Sequence, residues 1–469
     1  MEARSLAAEE KAELVEDAQF EFHPYPQGYE VTPPYPTYSK GVVATGVPRR
    51  CKSQNIYVRQ CSGSSNAGRI LLVQFSTALL QNGRVLGAFD SYYDRLYSHL
   101  EGYYRSTDFW ELPQWQAHIA QSMPQADHYT VRDPSEAIEF LRSAGYKHIA
   151  FSSLNVAVPS ILEICKAVPE QSIVVGGYSD MSVYDSFPNV TVYSSVQAFV
   201  EAEGLEYRLG YDYRHFSGTR IVPRLTLSEG CWHCCTFCCV PRSVVGKSRV
   251  EVMQQVEGIC GHLKSSLVYL NDKTFGQSSN HVWLPELYER LCSGNPEFKG
   301  FIVQTTASQM QKFTPEFLRA SGIRYVELGI ESVNDSILRV YKKPASEALI
   351  TEAACILRDL GIKLIANIMI GLPGETESTY AHTLSWLKKN RDIISHVNAY
   401  SLALYADSEL GQTLPVLTPA DRDENQFEKS WMSDITPHRN FIAQLLQFAN
   451  EQIDRPSTRE SSDDGCQIS

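Results

Sequence analysis

Five cysteines fall within nine residues in Leu225-Thr-Leu-Ser-Glu-Gly-Cys231-Trp-His-Cys-Cys235-Thr-Phe-Cys238-Cys239, and this stretch constrains the chain more than any other. It reads as a short apolar strand that breaks at Gly230 and opens into a loop. Cys231, Cys235 and Cys238 form a CxxxCxxC array. Thiolates are the soft ligands that hold iron–sulfur clusters, and three of them bind three irons of a four-iron cube, leaving one iron open. A zinc knuckle is the alternative, with His233, Cys234 or Cys239 as the fourth ligand that zinc needs.

The other cysteines do not suggest a disulfide scaffold. There are 12 in 469 residues, and Cys165, Cys260, Cys292 and Cys355 lie on apolar-periodic stretches, as buried thiols do. The pattern fits a reducing, cytoplasmic setting. No apolar run approaches a membrane span, and the acidic N-terminus lacks the apolar core of a signal peptide. A net charge of −12 argues against a broad nucleic-acid surface, leaving only a local basic strip at Arg242, Lys247 and Arg249.

A chain of this length predicts two or three domains. Residues 1–65, rich in Pro, Tyr, Ser and Gly, read as an extended, poorly ordered arm, and 454–469 as a disordered tail. Over 66–205, strands at Arg69–Ser76, His148–Ser153, Ser172–Gly177 and Asn189–Tyr193 alternate with helical patterns. That alternation predicts a doubly wound, Rossmann-like α/β domain, joined to the next by a linker at 206–219. Region 220–410 repeats a strand–helix unit six times, with strands expected at 224–229, 266–271, 301–306, 325–331, 364–371 and 397–404. Six units fall short of a closed eightfold barrel and predict a partial (βα)6 barrel. A C-terminal helix, Phe441 to Ile453, is expected to close part of its open side within 411–453. Each barrel strand ends in polar or glycine-rich residues, as the rim of an active site does.

These residues resemble the radical S-adenosylmethionine (radical SAM) enzymes. The CxxxCxxC loop after the first barrel strand, with Phe237 before the last cysteine, looks like that family's cluster motif. Val326-Glu-Leu-Gly-Ile-Glu-Ser332, with Leu338 and Lys342 downstream, resembles its fourth-strand motif. Asn367-Ile-Met-Ile-Gly-Leu-Pro-Gly-Glu-Thr376 resembles the fifth-strand motif of a subgroup holding cobalamin-dependent enzymes and methylthiotransferases.

The resemblance implies a 4Fe-4S cluster on Cys231, Cys235 and Cys238, and S-adenosylmethionine cleaved to a 5′-deoxyadenosyl radical. It implies Phe237, Gly371 and Leu372 near the adenine, and Glu331 and Ser332 near the methionine or ribose. Asp272 would contact the methionine amino group, although Asn271-Asp272-Lys273 replaces the family's usual Gly-Gly-Glu. Glu331 could instead salt-bridge within the barrel, and Gly371-Leu-Pro-Gly374 could be only a turn. The implied partners are a small-molecule or peptide substrate and a flavodoxin- or ferredoxin-type electron donor.

Ile149–Ser153 followed by Ile173–Gly177 resembles the cobalamin-binding domain that precedes this barrel type. Its Asp-x-His-x-x-Gly motif is absent, since His99 and His215 keep the glycine spacing but have Tyr where Asp would stand. Three functions follow as expectations. The first is cobalamin-dependent methylation of an unactivated carbon. The second is a radical SAM rearrangement, oxidation or cyclisation beside a degenerate partner domain. The third is a zinc-stabilised binding protein. Methylthiotransferase is disfavoured, because Cys51, Cys61 and Cys165 lack the spacing of a second cluster.

Overall fold

The barrel segment forms a six-stranded parallel sheet whose strand order follows the chain, as consecutive βα units dictate. In this computed structural model the described residues are 48–50, 56–59, 68–75, 89, 92–93, 95–96, 112–131, 134–153, 157–177, 179–217, 222–405, 407–414 and 429–455. Most of the expected arm and tail lie outside them, as do Cys51, Cys61 and His99. The chain divides into two compact units. One comprises residues 1–82, 104–223 and 253–265, and the other 83–103, 224–252 and 266–469. No helix among the described residues is long and apolar enough to cross a membrane.

The first unit is built on seven strands: β1 (Pro48–Arg50), β2 (Ile56–Arg59), β3 (Ile70–Phe75), β4 (Asp127–Val131), β5 (His148–Ser153), β6 (Ile173–Gly177) and β7 (Val190–Val192). Their spatial order is β1-β2-β4-β3-β5-β6-β7, with β1 and β2 antiparallel and the other five parallel. Numbering the parallel strands alone gives 2-1-3-4-5. That is a doubly wound order with its switch point between β3 and β5, where such sheets hold ligands. Alternate residues feed two cores. Leu71, Val73 and Phe75 face one, and Ile70 and Leu72 the other.

The strand at 127–131 was not expected from the sequence, because Asp-His-Tyr-Thr-Val looks polar. Distant residues hold two of its polar side chains in place. Asp127 pairs with Arg69 and accepts a hydrogen bond from the Tyr146 hydroxyl (2.8 Å). His128 stacks on His215 with ring centroids 3.9 Å apart.

The second unit holds β8 (Arg224–Leu225), a short hairpin of β9 (Ser228–Glu229) and β10 (Val245–Gly246), then β11 (Leu267–Leu270), β12 (Gly300–Thr305), β13 (Ile323–Glu331), β14 (Lys363–Ile370) and β15 (Ile394–Ser401). The sheet order is β15-β14-β13-β12-β11-β8, all parallel, which is the expected partial barrel. One face carries Leu225, Leu270, Val303, Val326 and Leu364, aligned across the strands and fully buried. The other is polar, where the Tyr269 hydroxyl donates to Glu327 (2.8 Å) and Asn398 Nδ2 donates to Asn367 Oδ1 (3.1 Å). The outer edge of β15 is closed by tyrosines. The Tyr92 hydroxyl bonds both the N–H and the C=O of Val397 (3.0 and 3.1 Å), and the Tyr93 hydroxyl accepts from the Ala399 N–H (3.1 Å). Side chains thereby satisfy backbone groups that an edge strand leaves open.

Candidate active site at the barrel rim

Gly230 sets the direction of the cysteine loop. Its φ of +86° is left-handed, and a Cβ there would lie 1.7 Å from the Ser243 carbonyl oxygen. The β9–β10 hairpin closes the base of the loop, and the Cys231 N–H donates to Pro241 O (3.0 Å). Its middle is anchored at Thr236, whose N–H donates to Tyr341 O (3.1 Å) and whose carbonyl accepts from the Leu410 N–H (2.7 Å).

The loop sorts its thiols. Cys231, Cys235 and Cys238 are half-buried, while Cys234 and Cys239 are exposed. The Val240 N–H points at Cys238 Sγ (3.4 Å), and Thr274 Oγ1 stands 3.3 Å from Cys231 Sγ. Both can donate to a thiolate and stabilise its charge. Burial pushes the Cys235 thiol up to about 11, against the nearby Lys343 cation, which pulls it down. Among the described residues no three His, Cys, Asp or Glu side chains converge as ligands of a single ion. A four-iron cube asks for something different: soft thiolates spread around it, one to each of three irons. The three half-buried cysteines match that donor set. His233 Nε2 lies 3.4 Å from Thr306 Oγ1, and burial, then Lys343 and Lys312, hold its pKa down.

Behind the loop lies a buried ion pair. Lys343 Nζ is 2.7 Å from Glu331 Oε1, with side-chain exposures of 7% and 12%. Burial alone would lower the Lys343 pKa, but Glu331 and the thiols of Cys235 and Cys238 outweigh it and the net shift is upward. Glu331 sits at a β-bulge with φ +60°, a conformation uncommon for a non-glycine residue. Gly329 leaves room for the pair, because a Cβ there would lie 2.7 Å from Lys343 Nζ. Ser332 is fully buried and hydrogen-bonds Glu375, whose carboxyl pKa is raised by burial despite that bond and one from Thr379.

Phe237 and Leu372 share an apolar cluster with Ile337, Tyr341, Leu402 and Leu404. Tyr341 braces two loops, since its carbonyl takes the Thr236 N–H and its hydroxyl donates to Pro373 O. Gly371 is held at both ends. Its N–H donates to the Tyr380 hydroxyl (3.1 Å), itself 2.7 Å from His438 Nδ1, and its carbonyl accepts from Trp431 Nε1 (3.1 Å). Asp272 is buried and accepts from the N–H groups of Leu227 and Ser228 (2.9 and 3.1 Å) and from the Ser228 hydroxyl. It therefore pins the strand entering the cysteine loop, and a contact to a bound amino group would have to use its remaining lone pairs.

All nine expected site residues belong to this unit, around the ends of its parallel strands. Lys343, Tyr341, Tyr380, Trp431 and His438 went unnoticed in the sequence. Only Gly329, two residues before Glu331, hinted that something must fit close to that strand.

Residues 225–387 match the family model of the radical SAM superfamily. Among curated proteins, the ribosomal protein uS12 methylthiotransferase RimO of Stenotrophomonas maltophilia (strain R551-3) is 24% identical over 300 residues, covering 54% of this chain and 66% of the relative. RimO of Rhodospirillum rubrum is 27% identical over 192 residues, covering 36% and 43%. The chain thus spans from under half to just under two thirds of these relatives' length. Among solved structures, the radical S-adenosylmethionine methyltransferase TsrM from Kitasatospora setae, with cobalamin and a [4Fe-4S] cluster bound, is similar at TM-score 0.49 and 14% identity. That match covers 74% of this chain and 77% of the other.

Proposed function

We propose that this chain is a radical SAM enzyme, a reading supported by the match of residues 225–387 to that superfamily's model, and that it transfers a methyl group to an unactivated carbon of a small molecule or peptide. A 4Fe-4S cluster, when bound, supplies the electron that cleaves S-adenosylmethionine and so the radical that takes a hydrogen atom from the substrate. Cys231, Cys235 and Cys238 would hold that cluster. The observation that carries the reading is the sorting of the loop, with three half-buried thiols in the motif positions backed by the buried Lys343–Glu331 pair.

The chain's own residues then have distinct tasks. Lys343 places a fixed positive charge behind the loop, which balances thiolate charge and suits the carboxylate of a bound amino acid. Glu331 is an acceptor at the strand end for hydroxyl or ammonium groups, and the fully buried Ser332 beside it accepts from the Asn334 N–H and fixes the turn. Phe237 and Leu372 supply an apolar wall for adenine, and the Gly371 peptide between them and Trp431 is fixed in direction. Closing such a site excludes water, which strengthens each polar contact and protects a reactive radical.

The methylation reading draws on the first unit. Its 2-1-3-4-5 strand order provides a crevice at the carboxyl ends of β3 and β5, the kind of place where a corrin could bind. The described residues do not fit a histidine-ligated cobalt. His215 is buried and stacked on His128, and Gly177 is required by the close approach of the Ser153 backbone. A radical SAM rearrangement, oxidation or cyclisation is the alternative outcome. Thiomethylation, suggested by the similarity to RimO, would need a second set of cluster ligands, and the described residues outside the loop offer none. Cys165 is buried, and burial pushes its thiol up to about 12.

Anaerobic reconstitution with iron and sulfide tests the core claim. An iron–thiolate absorption band and 5′-deoxyadenosine formation are expected, and both are lost in Cys231→Ala, Cys235→Ala or Cys238→Ala. Equal loss in Cys234→Ala would overturn the ligand assignment. A corrin spectrum in the purified protein and a methyl mass shift on turnover support methylation. Their repeated absence turns the reading to the alternative.

A further inference from the structure

The outer surface of the cysteine loop is unusual for a chain of net charge −12. Of the eight exposed large apolar residues among the described residues, four lie between 232 and 282: Trp232, Val245, Val250 and Val282. The elements that carry them are tied together. Asn280 Nδ2 donates to Leu227 O and Lys247 O (2.9 and 2.8 Å), and Gln277 Oε1 accepts from the Trp232 N–H (2.9 Å). Trp232 is 57% exposed although it directly follows a cluster cysteine, and Val245 is 61% exposed on the hairpin closing the loop.

Two exposed cations flank the same cysteine. Arg242 lies between Pro241, whose carbonyl holds the Cys231 N–H, and Ser243, whose carbonyl packs on Gly230. Lys273 precedes Thr274, the hydroxyl neighbour of Cys231 Sγ. Lys247 and Arg249 are neutralised by Glu229 and Glu286, whereas Arg242 and Lys273 form no ion pair among the described residues. Lys273 also acts on Cys239, where one carboxylate, Asp407, opposes it.

We propose that the surface formed by Trp232, Val245, Arg242 and Lys273 around Cys231 is the docking face for a small acidic electron-carrier protein. The inference rests on the cluster reading above, because a cluster that gives up an electron each turnover must be refilled. Electron transfer through protein falls steeply with distance, so the carrier has to reach a ligand edge, and Cys231 is the ligand bordered by this surface. An acidic carrier is repelled by the chain as a whole, and local unpaired cations give it one place to land. The exposed indole and valine supply apolar area that becomes dry only when covered, as at the centre of transient interfaces.

The test compares reduction of the reconstituted protein by reduced flavodoxin and by dithionite, followed by stopped-flow absorbance. Arg242→Glu with Lys273→Glu should slow the flavodoxin reaction about tenfold or more at low ionic strength, with the gap closing as salt screens the charges. Trp232→Ser should slow it in a salt-independent way. Dithionite rates should not change in any variant. Calorimetric binding of flavodoxin to the cluster-free chain should weaken in parallel. Unchanged flavodoxin rates and binding would overturn the proposal, as would a loss shared equally with dithionite. A wild-type chain that takes up no cluster would refute the functional reading itself, and the cluster-free binding arm would still decide the surface.

Discussion

The buried pair of Lys343 and Glu331 gives the sharpest quantitative prediction. Its atoms lie 2.7 Å apart, the side chains are 7% and 12% exposed, and Gly329 is the residue whose missing side chain makes the space. Replacing Lys343 by Met keeps the volume and removes the cation, leaving Glu331 buried, opposite no charge and in a left-handed backbone conformation. Breaking a buried ion pair on one side costs about 3–5 kcal/mol, whereas replacing both partners with groups that need no counter-charge is often close to neutral. Lys343→Met should therefore lose about 3–5 kcal/mol in urea unfolding of the cluster-free protein. Lys343→Met with Glu331→Gln should recover most of it. S-adenosylmethionine affinity, read by calorimetry on the reconstituted protein, should fall at least tenfold in both and should not recover in the double variant. A Lys343→Met protein as stable as wild type would refute the argument, as would a double variant no better than the single.

Other consequences follow from the same geometry. Tyr380→Phe orphans the buried Gly371 N–H and should cost about 1–3 kcal/mol, with weaker binding of 5′-deoxyadenosine but not of methionine. Gly230→Ala forces an L side chain into left-handed backbone and onto the Ser243 carbonyl, so iron uptake after reconstitution should collapse while the first unit still unfolds as in wild type. His396 is fully buried, and burial holds its pKa near 3 against about 6.5 in an unfolded chain. Its folded state resists protonation, so its contribution is intact above about pH 6.5. As pH falls toward 3 the contribution is lost at about 1.4 kcal/mol per pH unit, and His396→Leu should flatten that acid limb in stability measured against pH. Tyr93→Phe leaves the Ala399 N–H without its acceptor at the sheet edge and should lower stability by about 1–3 kcal/mol in the same unfolding assay.

The partial barrel was legible because its signals are local. A parallel strand covered on both faces reads as a short apolar run, and six such runs alternating with helical patterns leave few topologies. Strand ends moved by up to four residues, the first expected strand, 224–229, stopping at Leu225 while Ser228–Glu229 pairs in the β9–β10 hairpin. The last was expected at 397–404 but runs Ile394–Ser401, because Ile394 pairs beside Leu364 while Leu402 and Leu404 leave the sheet to pack with Leu372. The strand Asp127–Val131 was invisible, since what makes it a buried strand is Arg69, Tyr146 and His215, none of them near it in sequence.

By itself, then, the sequence determined the CxxxCxxC spacing, the order of the rim motifs and the alternation of strands and helices, all of which are written in neighbouring residues. Only the tertiary structure decided which thiols face inward, that Lys343 rather than Lys342 is the buried cation, and that Trp431 and His438 hold the Gly371 peptide from beyond the matched segment. Burial and pairing over long sequence separations are set by packing, and a residue's type does not say which distant partner will satisfy it.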